Sequence, residues 1–382
     1  MSLHALTGPV ILDGHTRHAG AALVLDGDRV QGIVAMADLP PDVARIALGP
    51  GFLVPGLVDL QVNGGGGRMF NHDQSVETLE VLARAHARCG TTSILPTLIT
   101  DSPDRTAAAI TAVRRALDHG VPGIAGLHLE GPHLSVPRKG AHDPNLIRPM
   151  EAVDLDRLCR AARDLPALMV TLAVESVTPA QIAQLVAAGG VVSLGHSDAS
   201  FDHVVAAVRA GARSATHLFN AMSPLTNREP GMVGAVLDIG ALSAGLIADG
   251  HHVHPATLRS ALRAKRGPGA IYLVSDAMAT VGSDLDGFLL NGRQILRRAG
   301  RLELADGTLA GADVDLLTCL RNVAGWGEVP LDRALAMATS LPAGLMGLSG
   351  VGHLGAGAWA DVLHLGPELD LRGVWQGGVA VD

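Results

Sequence analysis

Through the middle of the chain, short apolar runs alternate with alanine-rich stretches whose hydrophobic positions recur at helical spacing. The runs lie at 53–62, 91–98, 124–130, 168–174, 191–196, 214–217, 243–248 and 271–276, and the helix-like stretches between them include 75–88, 104–118, 179–188 and 200–210. Strand-then-helix units of this kind build a parallel sheet covered on both faces, and eight of them close a barrel. The chain ends read differently. Pro9 to Leu12, Ala21 to Leu25 and Val30 to Ala35 are short apolar runs, the last two separated by an Asp26-Gly27-Asp28 turn, which predicts antiparallel strands with hairpin chemistry. Ala360 to Leu365, Gly373 to Trp375 and Gly378 to Val381 resemble them. The expectation is an α/β chain: a (β/α)8 TIM-like barrel over 53–349, and a small β-sandwich domain formed from both termini, 1–52 and 350–382. Residues 282–310 read as a β-hairpin inserted before the last helices.

Composition supports a large core. Of 382 residues, 48% are hydrophobic and only 17% charged, and the length suits a barrel of about 250 residues with a smaller companion. A net charge of −8 and 2% aromatic residues give neither the basic footprint nor the stacking surface that nucleic acid requires. An anionic small molecule is still admissible, because one arginine or helix terminus sets the local potential. Cys89, Cys159 and Cys319 are odd in number and lack C-x-x-C spacing, so a reducing cytoplasm is expected and no disulfide framework. The opening residues lack the pattern of an export signal, and no stretch approaches the roughly 18 apolar residues of a membrane span.

In a (β/α)8 barrel chemistry gathers at the C-terminal ends of the strands. There the chain reads Leu127-His-Leu-Glu-Gly-Pro-His133, Ser193-Leu-Gly-His-Ser197, Thr216-His-Leu-Phe-Asn220, Ala248-Asp-Gly-His-His252 and Val274-Ser-Asp-Ala277. Glu130, His196 and His217 would project from three strand tips into one mouth, a His2Glu set that leaves a position open for water and suits zinc or a similar divalent ion. Each alone could equally cap a strand; their coincidence at one rim favours a metal. Asp276, at the eighth tip, is the candidate proton carrier, or else a turn aspartate. His142, in the loop after the third strand, could polarise a carbonyl or simply face solvent. Arg228 could hold a phosphate with its forked donors, though a lone arginine is weak evidence. Gly64 to Gly67 lacks the Gly-Lys-Ser/Thr of a P-loop and reads as a flexible turn.

Taken in order, these strings, with Arg228-Glu-Pro-Gly231, Gly90-Thr-Thr-Ser-Ile-Leu-Pro-Thr-Leu-Ile-Thr100 and Gly307-Thr-Leu-Ala-Gly311, resemble the N-acetylglucosamine-6-phosphate deacetylase branch of the amidohydrolase superfamily over nearly the whole chain. The resemblance implies that Glu130, His196 and His217 bind the metal, that Asp276 is general base and then acid, and that His142 polarises the acetamide oxygen. It also implies that the backbone at Asn220 and Ala221, with Arg228 and His252, holds the sugar phosphate, and that Arg228 serves the neighbouring subunit of a homodimer. Many superfamily members place His-x-His on the first strand for a second ion; here the place reads Gln61-Val-Asn63, and neutral amides are poor zinc ligands. One metal per subunit is therefore expected, zinc before iron, cobalt or manganese, with Gln61 and Asn63 lining the pocket. The alternatives are a deacetylase of another N-acetylhexosamine 6-phosphate, such as the galactosamine epimer, and a non-catalytic barrel used for binding. A cyclic-amide hydrolase with a carboxylated lysine is disfavoured, since the only lysines are Lys139 in a loop and Lys265 in a helix.

Overall fold

In the computed structural model, which describes residues 3–382, the eight expected runs lie side by side in one sheet. Its strands are β1 (Leu57–Val62), β2 (Thr91–Ile99), β3 (Leu127–Glu130), β4 (Leu168–Leu172), β5 (Val191–Leu194), β6 (Ser214–Ala215), β7 (Ser243–Leu246) and β8 (Ile271–Leu273). Each pairs in parallel with the next. The ring closes just past the end of β8. There Asp276 N–H donates to the Gln61 carbonyl (3.0 Å) and Asn63 N–H to the Ala277 carbonyl (2.9 Å). Closure therefore sets Gln61, Asn63 and Asp276 at one level of the barrel mouth.

The helices follow from local chemistry. Ser75 caps Val76–Arg88 by accepting from Thr78 N–H, and Ser102 does the same for Pro103–Asp118, whose proline at the first turn needs no donor. Each such cap contributes about 1 kcal/mol. The buried faces are rich in alanine, as at Ala109, Ala112 and Ala116, so the helices approach the sheet closely.

The run expected at 53–62 is two strands. Phe52–Pro55 pairs with Val362–Leu365 in the terminal sheet, and only Leu57–Val62 enters the barrel. Gly56 is the joint: its N–H donates to the Asp361 carbonyl (2.9 Å), and a side chain there would collide with Thr92. Both chain ends supply the two sheets of the sandwich, a four-stranded one from residues 4–47 and a six-stranded one that includes Val10–Leu12, Val362–Leu365 and Leu371–Gln376. Leu6, Leu23 and Leu25 of the first pack with Ile11, Leu53, Val362 and Trp375 of the second in a core separate from the barrel's. The segment read as a hairpin is a meander of four antiparallel strands over 287–312, two more than the alternation revealed. Its Leu290, Ile295, Leu302 and Ala310 bury against Met69, Ile99 and Met278 at the mouth.

Beneath the mouth the barrel interior is polar but paired. His128 Nδ1 donates to the Leu60 carbonyl (2.9 Å), which leaves Nε2 to accept from Thr171 Oγ1 (2.7 Å). Burial holds this imidazole neutral, with its pKa lowered to about 4. Asp59, on β1 at the seam, accepts from the backbone N–H groups of Gln61 (3.1 Å) and Ser275 (3.1 Å). Burial outweighs these bonds and pushes its carboxyl from 3.8 up to about 7. An acid raised in this way contributes stability that is fully present below about pH 4 and is lost as pH rises through about 7. The variant Asp59→Asn, which cannot ionise, is therefore expected to gain on the parent as pH goes from 5 to 8 in thermal unfolding; a gap independent of pH would show that the carboxyl is charged throughout.

Candidate active site

Glu130 ends β3, and by the twofold period of a strand it lies on the same inward face as His128. His196 and His217 each sit two residues past the ends of β5 and β6. Both adopt left-handed backbone, φ +48° and +32°, as do Phe219, Ala221 and Asp276. Five of the nine non-glycine residues with positive φ among the described residues thus crowd this rim, a conformation that costs about 1–3 kcal/mol apiece and persists where the surroundings enforce it.

The three side chains meet. Glu130 Oε1 is 3.1 Å from His196 Nε2 and 3.1 Å from His217 Nε2, and the two imidazole nitrogens are 3.1 Å apart. Hydrogen-bond logic shows what this contact needs. His196 Nδ1 lies 2.8 Å from the Arg138 carbonyl and must carry its proton there, so a neutral His196 turns a bare lone pair toward Glu130. His217 Nδ1 is buried without a partner. Three electron-pair donors facing one another repel unless a proton or a cation lies between them. Donors held about 2.0–2.2 Å from a divalent ion stand roughly 3.3 Å apart in a tetrahedral set, so the spacing fits a metal. Glu130, His142 and His196 also offer ligand atoms within 4.8 Å of one another, but the 3.1 Å set is the tighter, and it is the one we take to hold an ion.

Electrostatics agree with that charge distribution. Burial alone would raise the Glu130 carboxyl, but hydrogen bonds and charge from His196 and His217 hold it well below the usual carboxylate range. Burial likewise opposes a charged His217, yet the Glu130 contact raises it. Asp276 is pushed up to about 6, first by burial and then by the Glu130 charge. Its Oδ1 accepts from Asn63 Nδ2 (2.7 Å) and Gln61 Nε2 (3.0 Å), which leaves Oδ2 as the oxygen free to handle a proton.

A cavity of about 280 Å3 opens over these groups. Asn63, His142, Asn220, Ala221, His252 and Asp276 line it with the ligand set. Gln61 does not line it, contrary to expectation: it lies behind, bridging Glu130 Oε2 (3.2 Å) and Asp276 Oδ1. His142 is buried rather than solvated, its ring centroid 4.3 Å from that of His196, and burial with the neighbouring His196 keeps it neutral. Arg228 is exposed on the turn after the cavity's Asn220 and Ala221 and does not line its own chain's cavity.

Several supporting residues escaped the sequence. Thr100 Oγ1 is 2.7 Å from His142 Nδ1. Asp249 accepts from His252 Nδ1 (2.6 Å) and from the backbone N–H groups of His251 and His252, and although burial raises its carboxyl these bonds bring it below the ordinary value. The three-residue spacing of Asp249 and His252 was a legible signal. Arg138 pairs with Asp198 (2.7 Å), while Glu175 accepts from Ser197 Oγ (2.7 Å) and Asp198 N–H (2.6 Å), so the Arg138 carbonyl is clamped where His196 needs it. Nothing in the periodicity announces these pairs.

Comparison with known proteins places this geometry. A model of the amidohydrolase family matches residues 52–381. The chain is 43% identical to an N-acetylgalactosamine-6-phosphate deacetylase of Shewanella sp. strain ANA-3 over 90% of this chain and 86% of that one. It is 34% identical to an N-acetylglucosamine-6-phosphate deacetylase of Haemophilus influenzae over 97% of each chain. The crystal structure of the N-acetylglucosamine-6-phosphate deacetylase of Pasteurella multocida superposes with a TM-score of 0.95 at 36% identity, covering 99% of both chains.

An ion that binds only the folded site stabilises it by mass action. Added divalent metal is accordingly expected to raise the unfolding midpoint of chelator-treated protein by several degrees and to leave Glu130→Gln unmoved; an equal rise in both would place the ion elsewhere.

Proposed function

We propose, on the premise that this chain belongs to the amidohydrolase family, that it hydrolyses the acetamide of N-acetylglucosamine 6-phosphate to glucosamine 6-phosphate and acetate. The observation that carries this reading is the meeting of Glu130, His196 and His217 beside a raised carboxyl, Asp276, in one cavity. The likeness to deacetylases of amino-sugar phosphates along whole chains names the substrate class.

A divalent ion held by Glu130, His196 and His217, zinc by preference, supplies Lewis acidity for the carbonyl and for the attacking water. Asp276 Oδ2 takes the proton of the water as its oxygen bonds to the acetyl carbon. Gln61 and Asn63 occupy Oδ1 and keep the carboxylate turned toward the cavity. As the C–N bond breaks, its electron pair stays on the sugar nitrogen, which receives the proton back from Oδ2. The Thr100 hydroxyl can donate to the Glu130 carbonyl (3.4 Å) or to His142 Nδ1 (2.7 Å). With Thr100 donating to Nδ1, the neutral imidazole carries its proton on Nε2, from where it can donate to a carbonyl oxygen. His252, fixed by Asp249, and the Asn220–Ala221 backbone take the phosphate end. Arg228, exposed on its turn beside the exposed Leu225, is assigned to the cavity of a second copy in a homodimer. We place the enzyme in the cytoplasm, in keeping with three free cysteines, and no helix of the described residues is long and apolar enough to cross a membrane.

A second reading, the galactosamine epimer as substrate, is favoured by the 43% identity to the Shewanella relative. Acetate release measured on both N-acetylhexosamine 6-phosphates and on unphosphorylated N-acetylglucosamine decides between them: the glucosamine phosphate is expected to lead, equal rates on the phosphorylated and free sugar would remove Arg228 and His252 from the account, and no release at all would end the reading. Asp276→Asn is expected to keep its metal while turnover falls by about 10²–10⁴-fold. Because the base must be ionised, kcat/KM should rise with pH through a midpoint at or below about 6, since a bound cation favours the carboxylate. A kcat/KM that does not fall with acid at any pH down to the onset of acid unfolding would take the proton transfer away from Asp276.

A further inference from the structure

Across an eight-stranded ring, β2 and β3 stand opposite β6 and β7. The groups assigned to the sugar phosphate, Asn220, Ala221 and His252, follow β6 and β7. A secondary amide is planar, with its acyl carbon chain and its nitrogen substituent trans across the C–N bond. With the carbonyl at the ligand set and the sugar toward β6 and β7, the acyl methyl points to the opposite rim.

That rim is apolar. Ile99, the last residue of β2, sits opposite Glu130 in the sheet register, so the two side chains are neighbours on the inner face. Ala141 precedes His142, and Met278 lies two residues beyond Asp276. From the inserted meander, Leu309 also lines the cavity. All four line the cavity, and Ile99, Met278 and Ala141 belong to the single apolar cluster that joins the mouth to the meander. Met278 is pressed against this wall because Gly311 has no side chain: a Cβ there would collide with the Met278 side chain, and φ of +69° already restricts the position to glycine. The meander's last strand is in turn tied to the catalytic strand, since Ala312 N–H donates to the Asp276 carbonyl (3.0 Å). Ile247, the other large apolar side chain lining the cavity, follows β7 and stands on the sugar side.

We infer that Ile99, Met278 and Leu309 form an acyl pocket that takes the methyl of the acetyl group and sets the longest acyl chain the enzyme removes, so that the inserted meander acts as a specificity element. This rests on the deacylase reading given above. A pocket closed around one methyl discriminates against an added methylene by about 10–200-fold. Trimming the wall relaxes that discrimination without touching the proton carrier or the ligand set.

The test is kcat/KM on the N-acetyl, N-propionyl and N-butyryl derivatives of glucosamine 6-phosphate for the parent, Met278→Ala and Leu309→Ala. The parent is expected to fall at least tenfold from acetyl to propionyl, and each variant to shrink that ratio by about tenfold. Leu309 is only half-buried, so its variant keeps the test available if the buried Met278→Ala does not fold. A parent ratio near one, or variants that lose all acyl substrates in equal proportion, overturns the acyl pocket while leaving the deacetylase reading intact. A parent inactive on all three sinks the functional reading first.

Discussion

Three lone pairs aimed at one point are the constraint on which the site depends. Glu130, His196 and His217 come from three strands, and their donor atoms stand 3.1 Å apart in a buried mouth. Left bare, such a set is unfavourable, because burying a charge or an unpaired acceptor costs several kcal/mol. The fold tolerates it by holding two of the donors from behind and positioning the third through its backbone. The Arg138 carbonyl holds His196, the Gln61 amide holds Glu130, and left-handed backbone at His196 and His217 turns the rings inward. A cation held there would turn this conflict into cohesion and link metal binding to correct folding of the rim.

The same closure that makes a barrel holds the carboxyl proposed as the base. β1 and β8 join through Gln61, Asn63 and Asp276, and side chains from one side of this seam hydrogen-bond the carboxylate on the other. Two neutral amides stand where charged or ligating groups would compete for the ion or lower the base too far. Asp276 keeps a carboxyl raised by burial and by Glu130, with one oxygen free. Beneath it Asp59 carries a second raised carboxyl into the seam, a cost in stability at neutral pH that the backbone donors of Gln61 and Ser275 offset in part.

The additions to the barrel divide the work. The terminal sandwich packs its own core, and none of its described residues lines the cavity. The meander, by contrast, is buried against the mouth and reaches three strand-end loops. Arg293 donates to the Ala141 carbonyl beside His142, Arg301 contacts His251 beside His252, and Ala312 hydrogen-bonds the carbonyl of Asp276. An insertion that touches three of the loops at the mouth can alter specificity while the barrel beneath stays unchanged.

By itself the sequence determined the class of fold and the candidate groups at its mouth. Eight apolar runs alternating with helical segments leave a parallel barrel as the way to bury both, and that fold obliges chemistry to collect at the strand ends where Glu130, His196, His217 and Asp276 were visible. Periodicity is local, however, and cannot tell where one sheet hands a run to another, so the split at Gly56 and the two extra strands of the meander emerged only from pairing. Long-range contacts likewise decided that Gln61 lies behind the carboxylates rather than in the pocket, that Thr100 meets His142 across 42 residues, and that Arg228 is exposed and does not line its own chain's cavity. Tertiary structure alone brings donors within 3.1 Å, because hydrogen-bond partners and burial depend on which strands become neighbours and not on the order in which their residues are linked.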